Sequence, residues 1–179
     1  MRFSQREVSD LLISWIVLSV AFAIFIEGGL RNGPAPVLNM VKNPLSVLKM
    51  LIIVGSAFLL HELSHKYVAQ EYGLWAEYRK WNWGLIMATL LSLTGYVLFA
   101  TPGAVMIMSP GWSPEVEAKT SIAGPIANIT VGIVALLAYA GYFSSFLVEL
   151  ASINFFLAVF NLLPIPPMDG SKVLKYNGM

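Results

Sequence analysis

From Leu11 to Ile26 the sequence carries no charged residue, and four further apolar stretches follow, separated by short connections. A helix rising about 1.5 Å per residue needs about 20 apolar residues to cross a bilayer core. Inside that core the backbone must satisfy its own hydrogen bonds. The chain is thereby confined to helices, or to irregular segments that protein or a water cavity covers. Composition agrees: 57% of the 179 residues are hydrophobic and 12% charged, against about 25% charged in ordinary soluble domains. With no cysteine, disulfide frameworks and thiolate metal sites are excluded. No basic tract points to nucleic acid.

The first run predicts a transmembrane helix over about residues 11–30. Ala21-Phe22-Ala23 looks like a signal-cleavage box but lies inside the run, so a removed leader is the lesser reading. Further helices are expected at about 45–72, 121–143 and 146–163. The second starts after Asn43-Pro44 and stops at Gly73, and the last two meet at Ser144-Ser145 as an antiparallel hairpin. Residues 85–108 are apolar but interrupted by Gly95 and by Pro102-Gly103, and Ala104–Ile107 reads as a short strand.

Loop charges set an orientation. With the N-terminus inside, Arg31, Lys42 and Lys49 lie outside. Arg2, Arg6, Lys66, Arg79, Lys80, Lys119, Lys172 and Lys175 lie inside. The second helix then runs inward and leaves His61 and His65 near its inner end. If residues 85–108 crossed the bilayer, the last two helices would deliver Asp169 to the opposite face. If they enter and return, Asp169 ends at the depth of the histidines. The expected fold is therefore an all-α polytopic membrane protein. It has about four transmembrane helices plus a re-entrant or β-like hairpin between the second and third, forming one membrane-embedded domain over residues 1–179.

His61-Glu62-Leu63-Ser64-His65 has the H-E-x-x-H spacing. Residues i and i+4 of a helix share a face, so both imidazoles can reach one ion. Glu62 is offset from the pair, where a carboxylate can take a proton from water that the ion polarises. The bland alternative is a pair of polar residues at the inner end of a transmembrane helix. Against it, these are the chain's two histidines, and ionisable groups at such depth are costly. A catalytic zinc site takes three protein ligands as a rule, so a carboxylate is needed. Glu7 and Asp10 precede the first helix, Glu71 and Glu77 fall in the inner loop, and Glu149 lies towards the outer face. Asp169 remains.

Asn161-Leu-Leu-Pro-Ile-Pro-Pro-Met-Asp-Gly170 breaks the last apolar helix. Its prolines cannot donate backbone hydrogen bonds and push preceding residues towards extended geometry. A plain helix exit would also contain such a break. The flanking Asn161 and Asp169 favour a polar site, where Asn161 could donate to the oxyanion of a tetrahedral intermediate.

An HExxH on a transmembrane helix, followed about 100 residues later by N-x-x-P-x-P-x-x-D-G, resembles the site-2 protease family of intramembrane zinc metalloproteases. Here the second motif stands as Asn161, Pro164, Pro166, Asp169 and Gly170. The resemblance covers roughly residues 45–175. It implies one zinc ion held by His61, His65 and Asp169, Glu62 as general base, and Asn161 as a transition-state contact. Ala123-Gly124-Pro125-Ile126-Ala127-Asn128 resembles the family's G-P motif, which would turn Asn128 towards the site. Small residues easing helix packing is an equal reading of that segment. The chain ends nine residues after Gly170, where many relatives continue; a compact form and a piece of a longer protein both fit.

The expected activity is hydrolysis of a peptide bond in or near a transmembrane segment of a membrane protein partner. A metal-binding or metal-transporting protein would use the same three ligands but predicts several stacked polar sites, and the sequence holds one cluster. An inactive relative would be expected to lack Glu62.

Overall fold

The structure is a computed structural model describing residues 2–31, 33–42, 44–98, 101–108 and 113–177. In chain order it contains α1 (Gln5–Ile26), α2 (Ala35–Lys42), α3 (Pro44–Val54), a π turn (Gly55–Leu59), α4 (Leu60–Glu71), β1 (Trp75–Lys80), α5 (Asn82–Thr94), β2 (Gly103–Met108), α6 (Pro114–Tyr142), α7 (Ser145–Asn161) and α8 (Asp169–Asn177). It falls into two compact units. One comprises Phe3–Gly55 and Tyr78–Ala104, the other chiefly Ser56–Glu77 and Val105–Met179.

In the first unit α1 packs against α3 and α5. Ser4 caps α1, its hydroxyl accepting from Glu7 N at 3.1 Å. One face of this apolar helix is polar. Glu7 accepts from Tyr78 N at 2.9 Å, Ser14 accepts from Tyr78 Oη at 3.0 Å, and Asp10 pairs with Lys80 Nζ at 3.1 Å. These buried groups persist in an apolar setting because each has a partner. Trp15 Nε1 donates to Leu51 O at 2.8 Å, and its ring lies where a side chain on Gly55 would project.

In the second unit α6 packs against α4, α7 and α8. Ser113 caps α6 by accepting from Val116 N, and Pro114, Glu115 and Glu117 fill its first turn. The helix thus starts seven residues before the expected 121, at a Ser-Pro-Glu signal legible in the sequence. Gly132 brings α6 close to α7: a Cβ there would lie 2.8 Å from the Phe155 ring. A second close approach follows α7, where a Cβ on Gly170 would lie 2.1 Å from Leu162 O. That contact folds the proline-rich loop back and sets Asp169 at the start of α8.

Strands β1 and β2 form a two-stranded sheet. Trp81 N donates to Pro102 O at 2.7 Å just beyond the paired ends, so the strands run antiparallel. The chain therefore leaves at Lys80 and comes back at Gly103, and what lies between is an excursion, not a crossing. The expected hairpin over 85–108 is resolved into α5, a connection and β2; Phe99 and Ala100 within it lie outside the described residues. At 13 residues α5 is about 20 Å long, too short to span a core of about 30 Å. The inner loop expected around Glu77 instead holds β1, in which Ala76 and Tyr78 are buried in alternation with Glu77 and Arg79.

Among the described residues, three helices are long and apolar enough to cross a membrane: Gln5–Ile26, Pro44–Glu71 and Pro114–Tyr142. The expected count of four needs α7, which at 17 residues is apolar but shorter. The helix expected at 11–30 begins six residues earlier and ends at Ile26, before Gly28 and Gly29 turn the chain with φ of +92° and +56°.

Replacing Trp15 with Phe keeps the ring but removes the donor to Leu51 O. The expected loss is about 1–3 kcal/mol, read as a lower thermal midpoint of the protein in detergent micelles; an unchanged midpoint contradicts the role given to that bond.

Candidate metal centre

The π turn Gly55–Leu59 runs directly into α4, and such turns concentrate at functional sites, where they re-aim the face that follows. One turn apart on α4, His61 and His65 meet edge to face with ring centroids 4.6 Å apart. Asp169, first residue of α8, joins them. Its negative charge suits a helix N-terminus. The three are 5%, 7% and 8% exposed, and each offers one donor atom within 4.8 Å of the others.

Hydrogen bonding fixes which imidazole nitrogen faces the centre. His65 Nδ1 lies 2.8 Å from Thr120 O, a carbonyl that can only accept. His61 Nδ1 lies 2.6 Å from Asn128 Oδ1. The Asn128 amide is oriented by its nitrogen, which donates to Ala57 O at 2.8 Å and Asn154 Oδ1 at 3.1 Å. Both Nδ1 atoms must therefore carry hydrogen, which leaves each neutral ring with a bare lone pair on Nε2.

The two Nε2 atoms are 3.0 Å apart. Asp169 Oδ2 stands 3.3 Å from that of His61 and 3.2 Å from that of His65. Three acceptors converging in a buried space repel one another unless positive charge sits among them. Zinc bonds of about 2.0–2.1 Å to nitrogen and oxygen give a tetrahedral edge of about 3.3 Å, so the observed separations fit that ion. The other Asp169 oxygen lies 3.5 Å from Lys172 Nζ. An ionised Asp169 carboxylate is the form able to ligate a metal.

Gly124 of α6 lies directly against the donor atoms. A Cβ there would sit 2.5 Å from His65 Nε2 and 2.7 Å from His61 Nε2. The sequence left the Gly124–Asn128 segment between site-facing and plain helix packing. Asn128 contacts His61, and Gly124 provides the clearance. Glu62 is half-buried beside the centre, with Asp169, Lys172 and the backbone N–H of Val105 among its neighbours. Asn161 ends α7, and its amide nitrogen donates to Leu157 O of its own helix at 3.0 Å. Thr120 and Asn154 went unnoticed in the sequence. A backbone carbonyl leaves no sequence signal, whereas Asn154 was detectable as an amide in the middle of a mainly apolar helix.

The sequence pattern of Peptidase family M50 matches residues 49–144 and 137–177. The chain is 41% identical over 187 residues to a protein of Methanocaldococcus jannaschii provisionally named a zinc metalloprotease, covering 98% of this chain and 87% of the relative. A second protein of that organism, named a zinc metalloprotease, is 30% identical over 144 residues, covering 77% of this chain and 37% of its own length. A Bacillus subtilis protein provisionally named a zinc metalloprotease is 26% identical over 160 residues, with coverages of 74% and 70%. No solved structure matches the chain.

Gly124→Val would push a side chain into the space between the imidazole nitrogens. Metal affinity should fall by at least about tenfold while far-ultraviolet circular dichroism stays unchanged; wild-type affinity in this variant contradicts the geometry described.

Proposed function

Because the chain belongs to peptidase family M50 and is an intramembrane zinc metalloprotease, we propose that His61, His65 and Asp169 are its zinc ligands and Glu62 its general base. The observation that carries this is the convergence of two hydrogen-bond-oriented Nε2 lone pairs on the Asp169 carboxylate. The stoichiometry is one zinc ion per chain. Bound there, zinc supplies Lewis acidity towards a carbonyl and towards water.

The chain's own residues supply the rest. Glu62 takes a proton from water as the water oxygen bonds to the scissile carbonyl carbon. It returns that proton to the amide nitrogen as the C–N bond breaks. Asn161 donates to the oxyanion, which requires its amide to leave Leu157 O.

The partner is a membrane protein whose transmembrane segment is the substrate. An intact helix hides its carbonyls, so the substrate must open locally, and an opened strand can add to a sheet edge. The pairing register set by Trp81 and Pro102 turns the polar backbone of Val105 and Ile107 away from β1. Consistent with that register, Tyr78 N is free of the ladder and donates to Glu7. β2 thus presents an outer edge beside Glu62, whose carboxylate takes the N–H of Val105 and leaves that of Ile107 on the same edge. In the bilayer, α1, α3–α4, α6 and α7 are the four spans. The N-terminus is cytoplasmic in the cell membrane, on the balance of eight inner to three outer basic residues.

A metal-transporting role would need a succession of metal-capable clusters along a path, and the described residues contain one such group. Glu62→Ala should keep zinc and lose cleavage of a membrane-spanning reporter by about 10²–10⁴-fold; cleavage that survives in this variant refutes the assignment. Ile107→Pro removes an N–H from the open edge of β2 and should leave zinc content intact while slowing reporter cleavage by about tenfold. Wild-type cleavage by Ile107→Pro would remove β2 as the docking edge.

A further inference from the structure

Two asparagines are fully buried in the packed pair α6 and α7: Asn128 on α6, which lies against α4, and Asn154 on α7. Amides in an apolar helix pair commonly act as interhelical glue. Here their bonds have a direction that glue does not require. Asn154 Nδ2 donates to Leu150 O at 2.8 Å and to Ser56 Oγ at 3.1 Å. Leu150 O is a carbonyl and cannot donate, so the Asn154 amide is held with its oxygen towards α6. That oxygen accepts from Asn128 Nδ2 at 3.1 Å. Asn128 is then held with its own oxygen towards His61 Nδ1, at 2.6 Å.

We propose that Asn154 is a positioning residue for the metal centre. Through Asn128 it dictates which nitrogen of His61 carries hydrogen, and so keeps the His61 Nε2 lone pair available to zinc. The inference rests on the reading of His61, His65 and Asp169 as ligands. If the Asn128 amide turned over, its NH₂ would face His61 Nδ1. Bonding would then favour the ring with hydrogen on Nε2, the atom that must be bare to ligate. Ala57 O also opposes that turn, so Asn154 and Ala57 O act on the same amide from two helices. Asn154 itself touches neither imidazole and makes no bond to the donors.

A carboxylate at position 128 provides the discriminating background. An aspartate accepts from His61 Nδ1 with either oxygen and has no donor-to-acceptor sense to set. In that background the orienting role of Asn154 disappears, while any purely structural role remains. Zinc affinity of the full chain in detergent is measured by chelator competition for wild type, Asn154→Leu, Asn154→Ala, Asn128→Asp, and each Asn154 change combined with Asn128→Asp. Two different replacements of Asn154 keep the test intact if one of them fails to fold. Asn154 replacement alone should lower zinc affinity by about ten- to a hundredfold, the range of outer-shell losses. The same replacement in the Asn128→Asp background should change affinity by less than about twofold. An equal loss in both backgrounds, or no loss in the Asn128 wild-type background, overturns the proposal. His61→Ala is measured alongside. If it keeps wild-type zinc affinity, the ligand assignment itself fails and this inference falls with it.

Discussion

Two hydrogen bonds to imidazole Nδ1 atoms govern the rest of this structure. Histidine can turn either nitrogen to a site, and nothing in the H-E-x-x-H spacing chooses between them. The carbonyl of Thr120 and the side-chain oxygen of Asn128 make that choice. Both partners lie on α6, so α6 must pack directly on α4, and Gly124 is where the two come closest to the donor atoms. With both lone pairs directed inward, a buried carboxylate opposite them creates a place that only a cation stabilises.

The sheet solves a topological problem for the same centre. His65 and Asp169 are separated by about a hundred residues, yet their donor atoms stand 3.2 Å apart. Had the segment after α4 crossed the bilayer once, the later helices would have carried Asp169 to the far side. Pairing of β1 with β2 closes that segment on itself. The same closure sets β2 next to Glu62, so one device serves both ligand assembly and the geometry proposed for substrate docking. Buried carboxylates on α1 belong to this arrangement as well, since Glu7 satisfies the one N–H of Tyr78 that the strand pair leaves over.

Much of this was legible in the sequence because it is local or periodic. The spacing of His61, Glu62 and His65 is a helix-face pattern. Asp169 could be reached by charge counting and elimination, since so few carboxylates are available in the chain. The strand at Ala104–Ile107 stood out between Pro102-Gly103 and the next polar run. What stayed hidden depends on partners distant in sequence. β1 is held by β2 and by α1, and its alternation covers only Ala76 to Arg79, too short a run to stand out. α8 is short and polar, and it exists because Gly170 lets the loop fold against Leu162 O. The part played by Asn154 follows from a chain of bonds across α7, α6 and α4 that no window of sequence contains. Asn161 shows how far a motif reaches: the pattern was legible, while the bond its amide makes to Leu157 O was not.

The central claim is that one zinc ion is held by His61 Nε2, His65 Nε2 and Asp169. Crystals of the full chain, with diffraction data collected above and below the zinc absorption edge, test it most directly. The account predicts a single anomalous difference peak about 2.0–2.2 Å from these three donor atoms. A peak at any other set of side chains, or a zinc-loaded protein with no peak between α4 and Asp169, would contradict it.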